Sequence, residues 1–217
     1  MNRAIFLDRD GVINEIAHFP ELGLLDSPLN AKQFKLLPGV AEAITALNRL
    51  DLKVIVVSNQ PAIAKGKMTM KAFEEIRRKM KKELEKKGAR VDGEYYCFHH
   101  PLAKVQRYRT TCDCRKPKPG LFLKAAKDYR LDLQRSYVVG DSVTDVKAGK
   151  AVGSRTILIG SLKCDLCRLM EDEGVKPDHI VADLLGASRI IREEISGSIK
   201  PDLIVSKAFR TSEVTKR

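Results

Sequence analysis

The sequence predicts an α/β fold with a mostly parallel sheet, and three observations lead there. Short apolar runs rich in β-branched residues recur along the chain, helical spacings of apolar residues fill the gaps between them, and the runs end abruptly in acids or hydroxyls. Two-residue alternation of the kind a half-exposed antiparallel sheet would show is missing, which favours strands buried on both faces and joined by helical crossovers.

In chain order, the first strand is Ala4 to Leu7. A helix follows Pro38-Gly39 over Val40 to Leu50, and the second strand is Lys53 to Val57. Thr69 is placed to cap a helix whose Phe73, Ile76, Met80 and Leu84 recur at spacings of three and four, one stripe for the sheet with lysines outside. Helices over Leu121 to Tyr129 and Val143 to Lys150 alternate with strands Tyr137 to Val139, Arg155 to Ile159 and His179 to Val181. Asn14 to Leu37 and Gly93 to Pro119 do not fit the alternation; irregular stretches of that length are often functional. The pattern fits one domain over residues 1–195 with a tail or accessory segment over 196–217.

Composition narrows the class. No apolar run reaches the length of a membrane span and no leader-like start is present, so a cytoplasmic protein is expected. The five cysteines fall into two groups, Cys97 with Cys112 and Cys114, then Cys164 with Cys167, which suggests metal or thiol chemistry rather than a disulfide framework. The net charge of +12 is concentrated between Lys65 and Arg90, where eleven Lys and Arg stand against four Glu. That run reads as a solvated helix face, since no aromatic residues are interleaved with it to stack on bases.

Chemistry is concentrated at predicted strand ends, where an open α/β sheet binds its ligands. The first strand runs into Asp8-Arg9-Asp10-Gly11; two carboxylates so close call for a shared cation or a shared proton, and a hard divalent ion such as magnesium answers the first need. The second strand runs into Ser58-Asn59-Gln60, a hydroxyl and amides suited to phosphoryl oxygens, and the third into Gly140-Asp141-Ser142, with Asp145 four residues beyond Asp141. Arg115-Lys116-Pro117 is a rigid basic turn before a helix. Cys97-Phe98-His99, a spacer of twelve residues and Cys112-Asp113-Cys114 supply four ligands, enough to close a structural zinc site. His100 is left out of that set, and His18 and His179 read as ordinary surface or turn residues. Cys164 and Cys167 have no matching hook and read as helix cysteines.

The order acid pair, hydroxyl, lysine, acid resembles the haloacid dehalogenase superfamily of phosphotransferases over about Ala4 to Ile159. The resemblance implies a doubly wound, Rossmann-like fold with a zinc-binding loop and no large cap domain. It implies that Asp8 attacks phosphorus, Asp10 serves as acid and base, Ser58 and Lys116 stabilise the phosphoryl group, and Asp8, Asp10 and Asp141 hold Mg2+. Within the superfamily, the zinc hook abutting Arg115-Lys116 and the run Tyr95 to Pro101 are similar to the D-glycero-D-manno-heptose 1,7-bisphosphate 7-phosphatases. Arg9, Asn59, Gln60, Pro61, Arg115 and Ser142 are then expected at the substrate, a small phosphorylated sugar, in a monomeric enzyme without membrane or nucleic-acid partners. Departures lie at Ile16 to Phe19, at Pro61-Ala62 and at Ser142, none of which removes a catalytic carboxylate. Histidinol-phosphate phosphatases, with a shorter zinc spacer, are the alternative; a nucleic-acid-binding or end-processing protein is the alternative of another class.

Overall fold

The computed structural model describes residues 2–19, 23–160 and 174–197. Cys164, Cys167 and residues 198–217 of the expected tail lie outside them.

Six strands form one parallel sheet: β1 Arg3–Leu7, β4 Leu52–Asn59, β5 Gly93–Cys97, β6 Tyr137–Gly140, β7 Arg155–Ile159 and β8 His179–Val181, in the order β5-β4-β1-β6-β7-β8. Between β1 and β4, the antiparallel pair β2 Ala17–Phe19 and β3 Leu24–Asp26 stands apart as a small hairpin. Among the described residues, the helices α1 Val40–Asn48, α2 Met70–Glu85, α3 Gly120–Tyr129 and α4 Val143–Ala151 lie between strands, and α5 Leu184–Ile195 follows β8.

Alternate residues of the central strands serve two cores, as parallel strands covered on both faces require. Ile5 and Leu7 of β1, Val54 and Val56 of β4 and Val139 of β6 pack with α1, α2 and α5, including Ile44, Phe73, Ile76, Met80 and Ile191. Ala4, Phe6, Ile55, Val57 and Val138 point the other way, against Leu121, Phe122 and Ala125 of α3 and Ala148 of α4. The doubly wound expectation is met. Thr69 caps α2 as its sequence position implied, its Oγ1 accepting the Ala72 N–H at 3.1 Å. The basic run is partly neutralised on the flanks of α2, where Arg77 pairs with Glu74 and Glu94, Lys79 with Glu83 and Lys81 with Glu94. Among the described residues, no helix is long and apolar enough to cross a membrane.

The chain leaves β1 for β4 and β5 on one side and returns to β6, β7 and β8 on the other. The carboxyl ends of β4, β1 and β6 therefore meet at the point where the winding reverses, which is where open α/β sheets place ligands. Asp8, Ser58 and Asp141 all occupy that rim.

Candidate active site and metal centre

Each side chain at the rim is set there by its own segment. The β1–β6 register continues into the loop, with the Asp8 N–H donating to the Val139 carbonyl at 3.0 Å. Asn59 grips the Lys116 backbone at both ends: its Oδ1 accepts the Lys116 N–H at 3.0 Å and its Nδ2 donates to the Lys116 carbonyl at 3.1 Å. So held, the Lys116 side chain, 2% exposed, runs inward, and its Nζ donates to the Val57 carbonyl at 2.9 Å, Asp145 Oδ1 at 2.5 Å and Asp8 Oδ2 at 3.1 Å. Asp145 enters through a capping box on α4, where Ser142 Oγ accepts the Thr144 N–H and Asp145 Oδ2 accepts the Ser142 N–H.

Glycine makes the approach possible at two points. A Cβ on Gly11, which has φ +79°, would stand 2.1 Å from Asp141 Oδ2. A Cβ on Gly140 would stand 2.2 Å from the Asp145 Cβ. Any larger residue at either place would have to displace a carboxylate.

The outcome is a cluster in which oxygens of Asp8, Asp141 and Asp145 lie within 4.8 Å of one another. Lys116 supplies a single positive charge, so with all three carboxylates ionised two negative charges are uncompensated in a partly buried site. Burial pushes the Asp8 carboxyl up to about 6, with Lys116 opposing and Asp145 and Asp10 adding to the rise. Asp141 is pushed up to about 7, first by burial and then by the charges of Asp8 and Asp145. Burial works against the Lys116 ammonium, yet Asp145 and Asp8 hold it well above the ordinary lysine range. Hard oxygen ligands carrying an unbalanced double charge fit a divalent cation such as Mg2+.

The structure differs from the sequence expectation in which carboxylates come together. The Asp10 side chain is not in the cluster: its oxygens accept hydrogen bonds from Arg9, Asn14 and Gln60 instead. Asp145, four residues beyond Asp141 in the first turn of α4, takes the third place. Several expected substrate contacts are occupied elsewhere. Arg9 and Gln60 are fully buried, Asn59 clamps Lys116 and the Ser142 hydroxyl caps α4. Pro61 is half-buried in the turn beyond β4, and Arg115 donates to the His99 carbonyl at 3.4 Å. Ser58 lies where it was expected, buried at the end of β4, with its Oγ accepting from Gln60 Nε2 at 3.1 Å and its hydroxyl lowering the Asp8 carboxyl against the effect of burial. Asn14 escaped notice because a lone amide opening an irregular loop carries no signal in the sequence.

The second cluster matches its expectation: Cys97, His99, Cys112 and Cys114 bring their ligand atoms within 4.8 Å of one another. The Sγ atoms lie 3.0, 3.3 and 3.6 Å apart, and His99 Nδ1 is 3.2 Å from Cys114 Sγ and 3.9 Å from Cys97 Sγ. A tetrahedral zinc with Zn–S bonds of about 2.3 Å sets its ligands about 3.8 Å apart, so only a small expansion is needed. All four positions are filled by protein, as in structural rather than catalytic zinc sites. The loop also reaches the rim, since the Val105 N–H donates to the Ala64 carbonyl at 3.0 Å and Arg115 directly follows Cys114. Opposite it, the β2–β3 hairpin is tied to the turn before α2 by Lys67 Nζ and Asp26 Oδ2 at 2.6 Å.

Comparison with known proteins bears on this arrangement. The family model described as HAD-hydrolase-like matches residues 113–187. The D-glycero-beta-D-manno-heptose-1,7-bisphosphate 7-phosphatase of Escherichia coli O6:H1 is 40% identical over 157 residues, 71% of this chain and 78% of that protein. The protein of the same name from Haemophilus influenzae is 33% identical over 193 residues, 88% of this chain and 98% of its own length. Among solved structures, D,D-heptose 1,7-bisphosphate phosphatase from B. bronchiseptica, complexed with magnesium and phosphate, is similar at a TM-score of 0.73 and 28% identity, covering 88% of this chain and 99% of that one.

Proposed function

Because the chain belongs to the haloacid dehalogenase-like family of the D-glycero-beta-D-manno-heptose-1,7-bisphosphate 7-phosphatases, we propose that it is a magnesium-dependent phosphatase that hydrolyses this sugar bisphosphate at the 7-phosphate. The observation that carries the reading is the rim cluster: three carboxylates and one buried lysine, two negative charges in excess, at the reversal point of the sheet. A metal-binding relic with no catalytic task would have no use for a buried Lys116 aimed at the Asp8 carboxylate.

In this reading Asp8 is the nucleophile. Its carboxylate oxygen attacks phosphorus in line, the bond from phosphorus to the sugar oxygen breaks, and that oxygen leaves with a proton from Asp10. Water then attacks the aspartyl-phosphate, its proton passing to Asp10, while the electrons of the Asp8–phosphorus bond return to Asp8. Lys116 balances the charge that builds on the phosphoryl oxygens, and Ser58 donates a hydrogen bond beside them. Asp8 and Asp141 hold Mg2+, with Asp145 beside them, and the ion when bound supplies charge neutralisation and orientation of the phosphoryl group. Cys97, His99, Cys112 and Cys114 hold Zn2+, which fixes the loop that carries Arg115 and Lys116.

A screen for phosphate release by purified protein with Mg2+ tests this, using the heptose bisphosphate, histidinol phosphate and a nucleotide panel. The heptose bisphosphate is expected to give the highest kcat/KM. A preference for histidinol phosphate would overturn the substrate while leaving the chemistry in place, and no magnesium-dependent release from any of them would overturn both.

A further inference from the structure

The Asp10 carboxylate is surrounded by donors. Arg9 Nε and Nη2 reach Oδ1 at 3.2 and 3.0 Å, and Nη2 also reaches Oδ2 at 3.0 Å. Asn14 Nδ2 donates to Oδ1 at 2.9 Å and Gln60 Nε2 to Oδ2 at 2.7 Å. These donors are themselves braced. Arg9, Asn14 and Gln60 are each 0% exposed. Gln60 Oε1 accepts from Arg9 Nη2 at 2.8 Å, Asn14 Nδ2 also donates to the Glu15 carbonyl at 2.8 Å, and the Arg9 guanidinium lies 5.8 Å from the centre of the Phe73 ring. Burying an arginine and two amides is costly unless they are hydrogen-bonded; five contacts to Asp10 offset that cost, while Arg9 Nη1 and Asn14 Oδ1 stay buried without a partner.

The cradle is at odds with the task that the proposed function assigns to Asp10, and this inference rests on that reading. A general acid or base needs an oxygen facing the reacting group. Here both oxygens are filled by donors from the protein interior. The Asp10 side chain is nevertheless 11% exposed, so it is not sealed within the cradle.

We infer that Asp10 works from two positions, the docked one seen here and an engaged one turned toward the phosphoryl group, and that Arg9, Asn14 and Gln60 are positioning residues that hold the docked position between turnovers. The sequence expectation of Arg9 and Gln60 as substrate contacts is replaced by this role. A ligand that favours the engaged position must offset the docking contacts, and the docked population therefore sets part of the barrier to the first step.

Two measurements test the inference. The first is a crystal structure of the wild-type protein with Mg2+ and orthovanadate. The Asp10 carboxylate is expected to leave Gln60 Nε2 and bond an apical vanadate oxygen; a carboxylate that stays on Arg9 and Gln60 in that complex overturns the two-position account. The second compares kcat/KM on the sugar phosphate, whose leaving oxygen needs a proton, with kcat/KM on p-nitrophenyl phosphate, whose leaving group does not. In Gln60→Met and Asn14→Leu, the ratio of the two is expected to rise roughly 3- to 10-fold, because a docking hydrogen bond to a charged group has been removed. An unchanged or smaller ratio means that the cradle holds Asp10 in its working position, and overturns the inference. Should either variant lose its cooperative melt, the vanadate complex decides alone. Failure of the wild type to hydrolyse either substrate with Mg2+ would instead remove the phosphatase reading beneath it.

Discussion

Replacing Lys116 by Met keeps most of the aliphatic stem in its buried slot and removes only the charge. The lysine Nζ contacts Asp145 Oδ1, Asp8 Oδ2 and the Val57 carbonyl, and among the described residues it is the one cation paired with the Asp8 carboxylate. Without it, three clustered carboxylates face one another in a site that is only partly open to water. Breaking a buried ion pair from one side typically costs about 3–5 kcal/mol. The Lys116→Met protein in EDTA is therefore expected to unfold at a urea concentration roughly 1–3 M below wild type, for an m-value of about 2 kcal/mol/M. Added Mg2+ is expected to recover part of that loss, because a divalent cation supplies the missing charge. Turnover is expected to fall by at least about 100-fold even with saturating Mg2+, since the donor to the phosphoryl oxygens is gone. Urea melts with and without Mg2+, read with steady-state kinetics on the same preparations, check both parts. A variant that melts like wild type in EDTA, or keeps its kcat within tenfold, would refute the reasoning.

The pH dependence of metal-free stability follows from the same crowding. A carboxyl whose folded pKa is raised holds its proton longer in the folded state, so its contribution is present at low pH and lost as pH rises, for Asp141 between about 4 and about 7. In EDTA, Asp141→Asn is expected to gain on wild type by about 2–3 kcal/mol between pH 5 and pH 8; a difference that does not change with pH would contradict the crowding. Gly11→Ala places a methyl 2.1 Å from Asp141 Oδ2 at φ +79°, and calorimetric titration is expected to show Mg2+ affinity reduced by about tenfold or more. Binding within twofold of wild type would show that Asp141 is free to move aside. Elemental analysis is expected to find one zinc per chain, and Cys112→Ser to lose it together with several °C of melting temperature and with protection of the 98–115 loop from protease. A zinc-free protein with an intact loop would remove the structural role.

How much was legible depended on where each element sits. Central strands such as β1 and β4 are buried on both faces, so their apolar runs stand out, and the side chains that follow them name the site. The edge strand β5 escaped because Gly93-Glu94-Tyr95-Tyr96 is only half-buried and carries no alternation, its Tyr hydroxyls being bonded to Asp128 and Glu94. Helix α5 carries a signal that local propensity obscures: Asp183 caps it and Leu184, Ala187 and Ile191 share its buried stripe, but Gly186 falls in the first turn. At the site, residue types in order located Asp8, Ser58, Lys116 and Asp141. Their partners did not follow, because Gln60, fifty positions from Asp10, is brought to it only by tertiary packing, and the turn that aims Arg9 and Asn14 at the same carboxylate is set by the fold around it. The same limit applies to Asn59 and Ser142, whose polar side chains fit a substrate or a neighbouring backbone equally well on paper and are taken up by the backbone in the fold.

The account depends most on Asp8 becoming phosphorylated. Acid quenching of the wild-type protein during turnover of its sugar phosphate with Mg2+, then reduction with tritiated borohydride, which turns an aspartyl-phosphate into tritiated homoserine as phosphate leaves, and peptide mass spectrometry locate the acyl-phosphate. Label that requires Mg2+ and maps to Asp8 is the predicted result. Active enzyme that yields no trapped label, or label on any other residue, would contradict it.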